Sequence, residues 1–372
     1  MIIGVPKEIK IHEYRVGLNP SSVHSLTTLG HDVIIETQAG FNIGYTDADY
    51  EAVGARVVPD AKTVFDEAQL IVKVKEPQAS EYSQLKPNQT LFTYLHLAPD
   101  PAQTKGLMAS GCTAIAYETV TANDGSLPLL TPMSAVAGRL SVQAAAYSLE
   151  KHHGGEGILL GGVPGVAPAK VAVIGGGIVG SHAVQMALGM GARVTVFDRS
   201  LPKLREFNER FGAEVTTLYA NTKNLHSVLP YTDVIIGAVL VPGDAAPKLL
   251  SREDLGMMRR GAVLVDVAID QGGCFATSKP TTHQDPTYVV DGIVHYCVAN
   301  MPGAVPRTST QALNNATLPF VIQLAEKGTI TALRDNPHLR RGLNVHQGQV
   351  THPGVAKALQ LSCVDPETAL AV

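Results

Sequence analysis

The chain has no tryptophan and only four cysteines among 372 residues. Cys112, Cys274, Cys297 and Cys363 show neither a CxxC pair nor a Cys/His metal spacing. A disulfide framework is therefore excluded, and the thiols read as reduced, as in a cytosolic protein. An excess of positive charge is missing as well. With 29 basic and 33 acidic side chains the net charge is −4, which gives none of the basic field that nucleic acid requires. MIIGVPKEIK carries a charge by Lys7 and has no apolar core, so it does not read as a signal peptide. Long apolar runs are rare, and only residues 171–192 approach the length of a membrane span without Asp, Glu, Lys or Arg. Six glycines lie in that stretch, three of them consecutive, and they would break a helix near one end. Strand plus helix explains it better, so neither a membrane nor a nucleic-acid partner is expected.

That same stretch is the most informative one. An apolar strand candidate, 171–174, runs into Gly175-x-Gly177-x-x-Gly180. A helical stretch follows, then a second strand candidate, 193–197, which ends on Asp198. Strand, glycines, helix, strand and acid in this order point to a dinucleotide site. Gly175 permits the tight turn, Gly177 lets the backbone approach a pyrophosphate, and Gly180 lets helix and strand pack closely. Backbone N–H groups at the helix start, around Ile178 and Val179, would face the phosphates. Asp198 stands 18 residues after Gly180, where a carboxylate can accept from an adenosine ribose. A 2′-phosphate would meet like charge there, which favours NAD over NADP, although Arg199 next door pulls the other way.

The length predicts two domains. Residues 1–125 read as a first α/β unit, with buried parallel strands in IIGVP, DVIIET, LIVKV, LFTYLHL and CTAIAYETV and helices over 21–29 and 101–110. Thr131 is a candidate cap for a helix over 132–151. A Gly/Pro-rich connector leads into the dinucleotide unit, whose later strands are TDVIIGAVL, AVLVDVAID and HYCVAN. A long helix is predicted over 308–327. The residues after it are too few for a core of their own, so they should return to the first domain. The expectation is an α/β protein of two doubly wound Rossmann-like domains with an interdomain cleft, linked by long helices. Residues 1–130 plus 306–372 would form the substrate domain and 131–305 the NAD-binding domain.

Hydride chemistry on a polar substrate needs a cationic anchor and a proton donor or acceptor. Arg15, in a polar loop after the first strand, could hold a carboxylate in a two-pronged pair; a solvated loop arginine is the bland alternative. Lys75 and His96 each follow an apolar run, where a side chain meets a strand's carboxyl end; either could instead simply reach water or satisfy itself locally. Asp270 closes AVLVDVAID, and Asp266 in the same run competes with it as a structural acid. The histidine pairs His152/His153 and His346/His352 lack supporting ligands and read as surface or packing residues, so no metal site is expected.

GVPKEIKIHEYRVGLNPSSVHSL and VIGGGIVGSHAVQMALGMGARVTVFD resemble the two signatures of the alanine dehydrogenases, and the likeness extends over essentially the whole length. The first departs slightly, with His12 where asparagine is usual and Gly17 where alanine is usual. Both signatures are shared with the NAD-binding subunit of proton-translocating transhydrogenase. The resemblance implies that Arg15 and Lys75 grip the substrate carboxylate and carbonyl oxygen, that His96 is the acid/base, and that Asp270 serves the amine half of the reaction. It implies cofactor contacts at Ser134, Gly175, Gly177, Ile178, Val179, Gly180, Asp198, Lys203, Val239, Leu240, Val267, Asp270, Val298, Asn300 and Met301. The expected activity is reversible NAD-dependent conversion of L-alanine to pyruvate and ammonia through iminopyruvate, in a cytoplasmic homo-oligomer that the resemblance makes a hexamer. The alternatives are a soluble transhydrogenase subunit and a non-catalytic NAD(H)-sensing protein.

Overall fold

The computed structural model describes residues 1–239 and 246–371. The chain divides into two compact units, Met1–Met133 with Val305–Val372, and Ser134–Ala304. Strands β1 (Ile2–Val5), β2 (Asp32–Glu36), β3 (Arg56–Val58), β4 (Leu70–Val72), β5 (Thr90–Thr93) and β6 (Thr113–Ala116) come first. They are followed by β7 (Lys170–Ile174), β8 (Arg193–Asp198), β9 (Val215–Tyr219), β10 (Val234–Gly237), β11 (Val263–Asp266), β12 (Thr287–Val290) and β13 (Ile293–Tyr296). Last are β14 (Leu343–His346) and β15 (Gln349–Val350).

In the first unit the sheet order is β15-β14-β6-β5-β4-β1-β2-β3. Strands β1 to β6 pair in parallel, and the hairpin β14–β15 adds antiparallel to β6. Their Val/Ile/Leu-rich runs are buried because helices cover the sheet. Asn19 caps the helix Pro20–Thr28 by accepting from the Ser22 N–H; Asp100 does the same for Pro101–Ser110, which Gly111 ends in the left-handed region. The order β3-β2-β1-β4-β5-β6 reverses direction between β1 and β4, so the loops after β1, β4 and β5 leave one edge side by side. Gly17 tightens that edge: a Cβ there would lie 2.3 Å from the Val72 carbonyl oxygen at the end of β4. Behind it, fully buried Lys73 bridges Glu8 (3.0 Å) and Glu81 (2.8 Å). Burial raises the Glu8 carboxyl above its ordinary value, although the Lys73 charge opposes the rise.

The second unit repeats the scheme with order β12-β13-β11-β10-β7-β8-β9. All neighbours pair in parallel except the edge strand β12. Its reversal lies between β7 and β10. β11 stops at Asp266, short of the predicted run to Asp270. The completely buried Asp266 carboxylate turns the chain by accepting the N–H groups of Ala268 (3.0 Å) and Cys274 (2.8 Å) and the Ser278 hydroxyl. Other predicted bounds shift for local reasons. β5 ends at Thr93 rather than at residue 97, HYCVAN begins two residues after the start of β13 and runs past its end at Tyr296, and the last long helix is Pro306–Lys327 with Pro319 inside it. Thr131 is the first helical residue of Thr131–Ser148 rather than its cap.

Replacing Asp266 by Ala strands the Ala268 and Cys274 N–H groups and should cost about 2–4 kcal/mol in urea unfolding; a loss under about 0.5 kcal/mol contradicts the bracing role. Acid pH gives a second test. Burial holds His346 and His352 below the ordinary histidine value of 6.5. His346 Nδ1 lies 2.9 Å from Thr113 Oγ1, and His352 Nδ1 accepts from the Val355 N–H. A depressed folded value means the unfolded chain takes the proton first. That stability is present above about pH 6.5 and is lost as pH falls through the folded values. The urea midpoint of His346→Gln should therefore fall less steeply between about pH 7 and 5 than that of the parent; equal slopes refute it.

Candidate functional site

In the first unit, three polar side chains predicted from sequence leave the shared edge of β1, β4 and β5. Arg15 is not a solvated loop residue. It is only 2% exposed, with Nε 2.6 Å from Glu13 Oε1 and Nη2 2.5 Å from Glu13 Oε2, and Nη1 lies 3.2 Å from Met133 Sδ. Burial works against its charge, but the bonds to Glu13 more than compensate, and its pKa is raised. Lys75 lies three residues beyond β4, half-buried, with Nζ 3.4 Å from Glu76 Oε2. Its peptide is clamped on both sides: the N–H donates to Glu8 Oε1 at 3.2 Å, and the carbonyl accepts from Thr93 Oγ1 at 3.0 Å.

His96 lies three residues beyond β5 and is 46% exposed. Its φ of +49° is in the left-handed region, which costs a non-glycine residue about 1–2 kcal/mol. Glu118 holds it there by accepting the His96 N–H at 2.6 Å and the Leu95 N–H at 3.2 Å; Nδ1 lies 3.9 Å from the same carboxylate. The imidazole stacks on the Tyr94 ring at 5.8 Å, only 10° from parallel. Tyr94 donates its hydroxyl to the Leu129 carbonyl at 2.5 Å. Its phenol pKa is raised by burial, lowered by Arg15 and raised by Glu118, so one ring feels both neighbours of the candidate site. Glu13, Tyr94 and Glu118 escaped the sequence reading. A carboxylate two residues before Arg15 and one inside CTAIAYETV were the available signals.

In the second unit the glycine turn is built as its spacing predicts. Gly175 takes φ +106°, and a Cβ there would meet the Ala238 carbonyl oxygen at 2.6 Å. This seats the exit of β10, with half-buried Val239, directly against the turn. At Gly180 a Cβ would lie 1.8 Å from the Gly175 carbonyl oxygen, the close helix–strand approach that only glycine allows. Gly177 has open space where its Cβ would be, and it begins the helix Ile178–Gly189 with no side chain capping it. An uncapped helix start behind an open glycine fits a diphosphate. Asp198 accepts the Gly176 N–H at 2.6 Å through one oxygen and the Ser200 N–H at 2.7 Å through the other. A carboxylate has about four acceptor sites, so a ribose hydroxyl remains within its capacity.

The remaining cofactor candidates divide. Gly138, four residues after Ser134, packs so tightly that its Cβ would lie 2.2 Å from the Val179 carbonyl oxygen. Ser134 shares that helix face, which is turned to the first turn of Ile178–Gly189. Lys203 is exposed and paired with Glu206 at 2.8 Å. Val267 follows β11, and Asp270 is exposed in the 3-10 turn Ile269–Gln271, not at a strand end. Lys248 Nζ donates to the Gly272 and Gly273 carbonyls, both at 2.7 Å, and so fixes the far side of that turn. Val298 and Met301 are buried, and Asn300 takes φ +60° with its carbonyl 3.2 Å from His283 Nε2. Leu240 lies outside the described residues. The four cysteines are free, three of them buried. Among the described residues no helix is long and apolar enough to cross a membrane.

Comparison with known proteins agrees with this construction. Residues 4–137 match the family description "Alanine dehydrogenase/PNT, N-terminal domain", and residues 141–353 match "Alanine dehydrogenase/PNT, C-terminal domain". The chain is 61% identical to an alanine dehydrogenase of Halomonas elongata over 365 residues, 98% of either chain. It is 52% identical to one of Mycolicibacterium smegmatis over the full length of both. Among solved structures, an L-alanine dehydrogenase superposes with a TM-score of 0.94 at 53% identity, covering 97% of this chain and 99% of that one. A transhydrogenase from Sinorhizobium meliloti gives 0.80 at 25% identity, covering 95% and 99%. With both of its halves matched along nearly their whole length, the chain belongs to the alanine dehydrogenase/PNT family.

Proposed function

We propose that this chain is an NAD-dependent L-alanine dehydrogenase, which converts L-alanine, NAD+ and water reversibly into pyruvate, ammonium, NADH and a proton. The observation that carries this reading is the edge of β1, β4 and β5, where a buried guanidinium, a strand-end ammonium and an exposed imidazole leave adjacent strands. An amino acid offers a carboxylate, a reacting carbon and an amine, and that set of side chains suits each of them. The 53% identity to an L-alanine dehydrogenase, against 25% to a transhydrogenase, favours this over a transhydrogenase subunit or a mere sensor.

In this reading Gly175, Gly177, Gly180 and Asp198 hold NAD, with Ser134, Val239, Val267, Val298, Asn300 and Met301 about it. Bound NAD supplies the hydride acceptor. Arg15 anchors the alanine carboxylate, kept charged by Glu13. As Cα is oxidised to the imine of iminopyruvate, Lys75 steadies the oxygen side of the substrate. Water then adds to the imine carbon, and His96 takes its proton and returns it to the departing amine. Asp270 orients the water or the ammonia. The free thiols support a cytoplasmic enzyme, and the resemblance supports a homo-hexamer.

Following NADH absorbance with L-alanine, then with other amino acids, tests the reaction; no NADH formation with alanine overturns it. His96→Ala should lower kcat about 100-fold or more while NADH affinity stays within a factor of two or so, and unchanged turnover removes the role assigned to it. Asp198→Ala should weaken NAD and narrow its preference over NADP; if NADP stays fully rejected, the ribose argument fails.

A further inference from the structure

One cluster outside the residues assigned to the reaction carries coordinating chemistry that the reaction does not use. The helix Thr131–Ser148 is followed closely by the 3-10 turn Lys151–His153. The sequence reading left His152 and His153 without a further ligand, and the fold supplies one. Glu150 Oε2 lies 3.7 Å from His152 Nε2 and 3.8 Å from His153 Nε2, and one ligand atom from each of the three residues lies within 4.8 Å of the other two. Both separations are too long for hydrogen bonds.

His153 Nε2 is buried and has no hydrogen-bond partner, a state that buried polar atoms rarely tolerate. Its ring cannot easily turn away, because it packs on Tyr147 at 3.7 Å and on His152 at 3.8 Å. The backbone beneath is fixed too. Gly154 takes φ +89°, and a Cβ on Gly155 would lie 2.3 Å from the Ser148 carbonyl oxygen, so the turn folds hard against the helix end.

We propose that Glu150, His152 and His153 form a binding site for a divalent transition-metal ion of the zinc class. Tetrahedral zinc, with bonds of about 2.0–2.2 Å, sets ligand atoms about 3.4 Å apart. The two measured carboxylate–imidazole edges therefore need to close by only about 0.4 Å. Two imidazole nitrogens and one carboxylate oxygen favour zinc, nickel or copper over magnesium or calcium. Glu150 and His152 are 52% and 72% exposed, which leaves the fourth position to water. An ion there would give His153 Nε2 the partner it lacks and would staple the helix end to the following turn.

The test uses the full chain, stripped of metal with a chelator. Zinc is titrated in competition with a chromophoric chelator, and cobalt is followed by its visible absorption. One ion per chain is expected, with the dissociation constant raised at least tenfold in each of Glu150→Gln, His152→Ala and His153→Ala. Zinc should also raise the thermal midpoint of the parent but not of His153→Ala, since binding to the folded state stabilises it. Alanine turnover should be unchanged in all three variants, which separates this proposal from the catalytic reading. Absence of one-to-one binding, or variants that bind zinc like the parent, overturns it.

Discussion

Four carboxylates acting as acceptors for backbone N–H groups govern where the candidate residues stand. Glu8 accepts from Val74 at 2.7 Å and from Lys75; Glu118 accepts from Leu95 and His96. Asp198 accepts from Gly176 and Ser200, and Asp266 from Ala268 and Cys274. Each serves the place where a parallel strand has just ended and its N–H groups have no neighbouring strand left. An ionised acceptor makes stronger bonds than a neutral one, and two such bonds to successive or nearby peptides fix a loop's path as well as its position. Lys75, His96, the glycine turn and Asp270 all lie within four residues of an N–H held in this way.

The same device lets the chain keep conformations that it would otherwise avoid. His96 at φ +49° is held through its own N–H by Glu118, so the energy of the left-handed residue is offset by the bonds next to it. Arg15 shows the complementary arrangement. A guanidinium that is almost fully buried would be costly alone, and Glu13 makes it tolerable by pairing two oxygens with two of its nitrogens. In both cases the group proposed to meet substrate is held by a neighbouring acid. The six parallel strands of each sheet share one order, and the glycine turn in one and the Arg15, Lys75 and His96 loops in the other lie at or beside the point where that order reverses.

Much of this was legible in the residues. The turn at Gly175 to Gly180 and the acid at 198 announce themselves because their spacing follows from how closely backbones must approach. Apolar runs located β1, β2, β4 to β8, β10 and β11, since a strand buried on both faces has little room for polar residues; β3, β9 and β12 were not predicted, and HYCVAN caught only the end of β13. Strand ends were harder. AVLVDVAID reads as one run because Val267 and Ile269 are apolar, yet Asp266 ends the strand by bonding to N–H groups up to eight residues ahead. The hairpin β14–β15 was missed because one arm has two residues. Its signal was Gln347-Gly348, both at positive φ (46° and 80°), as a tight two-residue hairpin loop demands. The pairing of Arg15 with Glu13 and the hold of Glu118 on His96 depend on side-chain direction, which spacing does not encode.

The hairpin also bears on how the chain is made. β14 lies against β6, and Leu343 opposite Ile115 joins residues synthesised 228 positions apart. Ser134–Ala304 is one continuous piece and can complete its own sheet while the ribosome is still at work. The other unit cannot: until residues 343–350 emerge, β6 presents a bare edge of unpaired peptide groups, the kind of surface on which neighbouring nascent chains stick together. The hairpin β14–β15 therefore acts as a latch that protects an already folded parallel sheet from its own kind.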